Sequence, residues 1–433
     1  MQPWDWNYEP ANTTIANPGH GFIQPYGDAS TRAKVEEWNE IGRAVRKHQL
    51  GIQQEGLRNG TPGYALRDVG LSMGASFLYF AMGIAPIPYA GPEMITPDDP
   101  WADRHIMPEM RTPEGRGVPK WTGTPEEATN MLRAAAHAFG AANAGALEFD
   151  SNNKKFFYPH MNRFEDVDEP YMDGPIGVIP EKCQWGIYFV VRQPEEMTRQ
   201  HLSQQGMAAS WFGYFNGPII MNRMQMFIKT LGYQAPMMLY SHYTAAGMNI
   251  PMGIMCGLGE LGRHNQQITP EWGSMVRYTP GLPTDLPLAP TKPIDAGIWK
   301  FCHTCKLCAT FCHEFGTGAL TLETQPAWET TGAWNRAGVK KYHMNWALCG
   351  FPVCSFDCSE VCVFSHKNRA SIHDVVKGVV ATTPILNSFF LNMENVFYKW
   401  PPRDEKDFAA WWERDLNTWP HDNILSAGTP PGW

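Results

Sequence analysis

The 433-residue chain reads as a mixed helix-and-sheet protein of the α/β (α+β) class, with a cysteine-rich unit toward its C-terminal end. Three observations predict this. "TGTPEEATNMLRAAAHAF" joins an N-cap threonine, a proline at the first helical position and two acids facing the helix dipole, so a helix runs from Pro125 to about Ala142. "WGIYFVVR" (185–192) is β-branched and aromatic in the manner of a buried strand. "FCHTCKLCATFC" (301–312) and "LCGFPVCSFDCSEVC" (348–362) hold eight of the ten cysteines.

Taken in order, the other elements fill the same plan. Residues 1–60 are polar and irregular around one helix, "TRAKVEEWNEIGRAVRKH", with Val35, Trp38, Gly42 and Val45 near one face. "GLSMGASFLYFAMGIAPIPYAG" (70–91) is broken by Gly and Pro, and reads as a buried helix followed by a loop. "QPEEMTRQHL" opens a helix by its Pro–Glu–Glu signal. "PIIMNRMQMFIKTLGY" sets Ile220, Met224, Phe227, Ile228 and Leu231 at helical spacing and stops at Gly232. From 247 to 300 the texture is Gly- and Pro-punctuated loop. The divisions expected are an N-terminal unit (1–120), a core (121–299), the cysteine-rich unit (300–370) and a C-terminal extension (371–433).

Composition narrows the function. A hydrophobic fraction of 43% and a charged fraction of 18% belong to a folded protein. The 12% of aromatic residues is a surplus that an apolar cavity would draw on. A formal charge of −8 without a basic run argues against nucleic acid as a partner. No stretch reaches the roughly 18 apolar residues of a membrane-spanning helix. "MQPWDWNYEP" carries no export signal, so the chain is either cytoplasmic or a mature form with its leader absent.

Disulfides are a poor reading of the cysteines, because neighbours two or three residues apart do not reach bridging geometry with one another. Zinc favours paired C-x2-C units, whereas the first run here is a triple followed by x3-C. Three cysteines on a tight loop with a distant fourth suit a 4Fe–4S cubane. In the bacterial two-cluster arrangement the fourth cysteine of each run ligates the other cluster. Cys302, Cys305, Cys308 and Cys362 then hold one cluster, and Cys312, Cys349, Cys354 and Cys358 the other. His313 stands where that pattern has proline, and four residues separate Cys349 from Cys354 instead of two. Cys349 stays the candidate because no other nearby cysteine can replace it. Cys183 and Cys256 read as buried core. Two such clusters make a relay for electrons.

The series "GLGELGR" (257–263), "ITPEWGSMVR" (268–277), "TDLPLAP" (284–290), "KPIDAGI" (292–298) and "FCHTCKLCATFC" resembles the corrinoid-dependent respiratory reductive dehalogenases. The resemblance is specific across about 230–370. It implies a nitroreductase-like core binding a cobalamin-type corrinoid, beside a ferredoxin-like unit with two 4Fe–4S clusters. It also implies a twin-arginine leader, a small membrane-anchor protein, a low-potential electron donor, and a place on the outer face of the cytoplasmic membrane. On that reading this is a mature form, and a homodimer is compatible with it. The substrate would be a small organohalide, a chlorinated alkane or alkene.

The family's proton donor is a tyrosine with a neighbouring cation. The resemblance places Tyr214 there, with Tyr240 as runner-up, Arg277 as the cation and Asn249 as a polar partner. Gly257, Gly259 and Gly262 would let backbone approach the macrocycle, and a plain turn explains them equally well. Tyr79, Phe80, Trp121, Trp211 and Phe212 would wall an apolar pocket. Two rivals stand beside this reading. An epoxyqueuosine reductase would need a basic face for transfer RNA, against the net charge of −8. A non-catalytic electron carrier would leave some 300 residues ahead of the clusters without a task.

Overall fold

The computed structural model describes residues 29–68, 113–114, 118–157, 162–174, 176–200, 203–236, 247–277, 281–329, 338–349, 357–365, 372–397 and 404–414. The expected helix and loop at 70–91, with Tyr79 and Phe80, lie outside these residues, as do Tyr240 and Cys354.

The centre is a four-stranded antiparallel sheet. Strand β1 (Asn143–Glu148) pairs with one edge of a strand that the sequence marks as buried, Trp185–Arg192. Between them, a smaller sheet is built from β2 (Asn162–Glu165), β3 (Tyr171–Asp173) and β4 (Ile176–Pro180), in the order β2–β4–β3. The long strand is therefore β5, and its other edge takes β8 (Val276–Arg277) and β9 (Gly281–Thr284). A short hairpin, β6 (Glu260–Leu261) with β7 (Gln267–Ile268), precedes them. Every pairing in the central sheet is antiparallel, which selects the α+β form of the class.

Strand alternation divides β5 between two cores. Ile187, Phe189 and Val191 face α2 (Pro125–Ala138) and α4 (Gln204–Thr230), where Leu132, Met224 and Ile228 are fully buried. Tyr188 and Val190 face the other way, onto α5 (Asn249–Met255) through Met252 and Met255. Helix α2 begins as the sequence dictates: Thr124 accepts the Glu127 N–H, and Glu127 accepts the Thr124 N–H in return.

Three helix expectations need correction. Helix α2 ends at Ala138, short of the expected Ala142, with Phe139 as its C-cap. "QPEEMTRQHL" forms only one turn, α3 (Glu195–Thr198). Its acids are spent on Arg199, which pairs with Glu195 and Glu196, and Ser203 then caps a new helix. That new helix, α4, does not start near residue 219. It runs through Pro218 for 27 residues and ends before Gly232, whose φ is +93°. A proline deletes one helical hydrogen bond, and the close packing on both cores of α4 offsets that loss. The loop expected at 247–300 also contains α5 and four of the strands. In α1 (Ala29–Asn59) the predicted helix is present, and of its four face residues Val45 is half-buried while the others' side chains lie outside the description.

The cysteine-rich unit packs on the end of this core. Its elements are α6 (Ile298–Thr304), α7 (Leu307–Phe315) and α8 (Asp357–Glu360), followed by α9 (Ile372–Thr382) and α10 (Asn387–Phe397). Ile298, Phe301 and Val380 share one core with Ile268 of β7. Helix α11 (Glu405–Trp412) returns to α4, where Asp68 accepts hydrogen bonds from Gln205 and Trp412. No described helix is long and apolar enough to cross a membrane.

Glycines make the seam between core and cysteine unit possible. Gly297 has φ +73°, and a Cβ there would sit 2.1 Å from the Val380 carbonyl oxygen. Gly297→Ala is expected to lower stability by roughly 2–4 kcal/mol, through left-handed strain plus a backbone clash. Gly51→Ala is the control: no heavy atom lies within 4 Å of a Cβ there, on a helix. It should stabilise by up to about 1 kcal/mol. Thermal unfolding of the two variants checks the contrast.

Candidate active site

The sequence motifs ahead of the cysteines turn out to be the parts that hold the cysteines in place. Gly257, Gly259 and Gly262 bring "GLGELGR" into close contact with the protein itself. Added Cβ atoms would strike the Lys292 carbonyl oxygen at 2.3 Å, the Ile268 carbonyl oxygen at 2.4 Å and the Ile268 side chain at 2.4 Å, respectively. The faces freed by these glycines are thus filled by the chain's own atoms. Glu260 then accepts the Ala296 and Trp299 N–H groups, which positions the start of α6. Arg263, 1% exposed, donates to four carbonyls: Cys302 at 2.9 Å, Cys305 at 3.0 Å, Thr321 at 3.3 Å and Glu323 at 2.6 Å. Its guanidinium also stacks 3.8 Å from the Tyr342 ring centroid.

"ITPEWGSMVR" docks the second run. A Cβ on Gly273 would lie 2.3 Å from the Phe364 carbonyl, so only glycine fits. The Ser274 N–H donates to Ser365 Oγ at 3.1 Å, and its hydroxyl donates to the Ser359 carbonyl at 3.2 Å. Those bonds bracket Cys362, whose thiol is pushed up by burial and eased down by the Phe364 N–H and the Ser274 and Ser365 hydroxyls.

The cysteines fall into two groups. Burial pushes the Cys302 thiol up, and the charges of Cys305 and Cys362 push it further; Cys308 likewise feels Cys305, Cys302, Cys358 and Cys362 after burial. Cys312, Cys349 and Cys358 line a separate cavity with His264, Ala319, Leu320 and Met344, partly open to solvent. All nine described cysteines are unbridged. Among the described residues, no three His, Cys, Asp or Glu side chains converge on a single ion. A cubane instead sets each thiolate on its own iron, so its donors stand farther apart than those of one zinc. Crowded, desolvated thiols that disfavour each other's ionisation are a donor set that iron stabilises, and the residues fit such clusters.

Where the core meets the second group, α4 touches β8. Gly213 makes the contact: a Cβ there would lie 2.4 Å from Arg277 Cβ. Arg277 is paired with Val191 in the sheet and shares its face, toward α4. Tyr214, the next residue of α4, is 9% exposed, and Arg277 is 2% exposed. Burial raises the Tyr214 phenol pKa, the Arg277 charge lowers it, and Cys349 raises it. His264, also in reach of Arg277, is lowered to about 3, chiefly by burial. Tyr214 and Arg277 are thus both buried at the α4–β8 contact, and Cys358 of the second group packs against the same core as Tyr214.

The remaining site candidates are dispersed. Trp211 stands one helical turn before Tyr214, with ring centroids 6.2 Å apart, and Phe212 packs toward Trp411 with Met197 and Ala208. Trp121 is bonded to Leu231 at the far end of α4, about 25 Å along the helix from Tyr214. Asn249 opens α5 on the opposite face of the sheet. His313, in the place of a proline, bonds the Leu320 carbonyl at 2.8 Å and lets α7 run on to Phe315. The sequence reading missed Gly213, Arg263 and His264. Gly213 and Arg263 act through partners distant in sequence, and only the adjacency of "GRH" to the glycine motif pointed to Arg263 and His264.

An antiparallel α+β core with a cysteine-rich unit docked on its end defines the class of protein, and comparison with known proteins gives the family. The family model described as reductive dehalogenase subunit matches residues 43–288, so the chain belongs to the reductive dehalogenase family. It is similar to the chloroethene reductive dehalogenase of Dehalococcoides mccartyi strain VS, with 34% identity over 66% of this chain and 60% of that protein. A trichloroethene reductive dehalogenase of another Dehalococcoides mccartyi strain is 31% identical over 68% of this chain and 58% of its own length. The chain thus spans about 60% of the length of these curated relatives. A solved reductive dehalogenase, whose structure suggests a mechanism for B12-dependent dehalogenation, shares the fold with TM-score 0.51 and 16% identity, over 66% of this chain and 39% of that one.

Proposed function

We propose that the protein reductively removes halide from a small organohalide, with electrons delivered through two 4Fe–4S clusters and a proton given by Tyr214. The observation that carries this reading is the buried contact of the Tyr214 helix with Arg277, with Cys358 of the second cysteine group packed on the same core. Replacing halogen by hydrogen consumes two electrons and one proton and expels halide. The electron path would leave the protein's clusters at the second cysteine group, and Tyr214 would supply the proton from the adjoining core.

Cys302, Cys305, Cys308 and Cys362 would hold the first cluster, and Cys312, Cys349 and Cys358, with Cys354 beyond the described residues, the second. The nitroreductase-like core and ferredoxin-like unit belong to the same proposal. A bound corrinoid would supply a low-potential cobalt at which the carbon–halogen bond breaks. Support for it comes from the B12-dependent dehalogenation named for the fold relative. The three glycines would not seat it, since their faces are filled. The residues that would face the reacting carbon are Tyr214 and Arg277. Tyr214 gives its phenolic proton, and Arg277 stabilises the tyrosinate left behind. Asn249 keeps no part in this arrangement. The relatives named for chloroethene and trichloroethene favour a chlorinated alkene as substrate. A low-potential donor, a small membrane-anchor protein and a place on the outer face of the cytoplasmic membrane complete the proposal.

The test is halide release. The chain, reconstituted anaerobically with iron, sulfide and a corrinoid and kept reduced, should release chloride from trichloroethene. Chloride release that persists when the corrinoid is left out, or none from a fully loaded chain, would count against it.

A further inference from the structure

We propose that His264 donates a hydrogen bond from its Nε2–H to a sulfur of the second cluster and thereby raises that cluster's reduction potential. The inference rests on the cluster reading above and adds a positioning residue outside the ligand set. His264 is 2% exposed and lines the same cavity as Cys312, Cys349 and Cys358. Its Nδ1 accepts the Gln266 N–H at 3.2 Å. A neutral imidazole that accepts at Nδ1 carries its proton on Nε2, so Nε2 is a donor. That buried Nε2 has no hydrogen-bond partner among the described residues. Buried donors are rarely left so, and the cavity this ring lines carries the sulfurs of Cys312, Cys349 and Cys358, alongside Gln266 and Thr317.

The same geometry argues against His264 as an iron ligand. Ligation needs the Nε2 lone pair and a proton on Nδ1, which would then point at the Gln266 N–H, donor against donor. The ring is also held in place. Gly262 leaves room for it, since a Cβ there would lie 3.2 Å from His264 Cε1. Asn265 adopts φ 58° and bonds the Tyr342 carbonyl at 2.7 Å, which fixes the turn. An N–H donor stabilises the extra negative charge of the reduced cluster, and hydrogen bonds to cluster sulfurs are an established control on potential.

The experiment is an EPR-monitored redox titration of wild type, His264→Leu and His264→Gln, each loaded anaerobically with iron and sulfide. At a fixed solution potential, the leucine variant should show the reduced-to-oxidised ratio of the second cluster falling about tenfold, equivalent to about 59 mV for one electron. Glutamine, which offers an N–H, should restore most of that ratio. The first cluster should not move, and iron per chain should stay constant. An unshifted second cluster in the leucine variant would overturn the proposal. So would equal shifts in both variants, or loss of an iron, which would mark His264 as a ligand. If the leucine variant does not load, wild type labelled with 15N-histidine decides. A weak nitrogen coupling, of hydrogen-bond size, supports the donor role; a ligand-sized coupling or none contradicts it. A wild-type chain that takes up no iron would instead overturn the cluster reading itself, so the two failures are distinguishable.

Discussion

Tyr214→Phe is expected to cut turnover by about a hundredfold to ten-thousandfold, the usual contribution of a positioned general acid, while iron content and cluster reduction stay as in wild type. The substitution removes one hydroxyl from a side chain already 9% exposed, so the packing of α4 against Ile187 and Phe189 is kept. As the proposed acid, Tyr214 suits its place. Burial holds the phenol above its ordinary value of 10, so it remains protonated across the working range, and Arg277 limits how far it rises. The sign of the pH dependence follows. A raised phenol pKa keeps the donor loaded to higher pH than a free phenol would be, so any loss of turnover from ionising Tyr214 should set in only above the ordinary phenol range. In Arg277→Met the opposing charge is gone, the phenol becomes a weaker acid, and turnover should drop with the phenol still in place. Steady-state rates of halide release across pH, alongside iron analysis, check both. A phenylalanine variant with undiminished turnover would remove Tyr214 from the mechanism.

Arg263→Met should bring the largest loss of stability, about 4 kcal/mol or more. The arginine donates to the carbonyls of Cys302, Cys305, Thr321 and Glu323 from a fully buried position. The bond to the Cys302 carbonyl is buried and the other three are part-buried, so water would take over some of them; each carbonyl left dry without its donor costs about 1–3 kcal/mol. Methionine fills much of the volume and none of the hydrogen bonds. The loss falls on the loops that present Cys302 and Cys305, so the first cluster should be lost before the second. Arg263→Lys should recover only part, because an ammonium cannot reproduce a planar fork with five donors. Denaturant unfolding midpoints together with iron per chain test this. Arg263→Met with an unchanged midpoint and full iron would show the clamp to be dispensable.

The cysteine runs and the buried strand were legible in the sequence because their signals are local. C-x2-C-x2-C is a constraint on one tight loop, and β5 announces itself by its side chains alone. Thr124 with Glu127 is equally local, and the capped helix follows. Helix α4 was not legible to its true length, because Pro218 usually ends a helix and here is outweighed by burial against two neighbours. "QPEEMTRQHL" misled for the opposite reason: its start signal is genuine, but Arg199 binds both acids and the helix ends after one turn.

At the site, glycine spacing revealed unusual backbone without revealing what approaches it. Gly257, Gly259 and Gly262 meet the chain's own carbonyls and side chains, a fact set by residues 268 and 292. Arg263 and Ser274 are also invisible as anchors from sequence, since their partners lie 39–60 and 85–91 positions away. The family motifs ahead of the cysteines therefore act here first as the joint between two units, which sets Cys358 of the second cysteine group against the core that carries Tyr214.

The most direct test of that joint is a single turnover without added reductant. The fully loaded chain is reduced, freed of excess reductant and mixed with trichloroethene, and cluster oxidation is followed by EPR while chloride is counted. One chloride for every two electrons withdrawn, with both clusters oxidised in step and the release slowed in Tyr214→Phe, is the predicted result. Clusters that stay reduced in the presence of corrinoid and substrate, with no chloride formed, would contradict it.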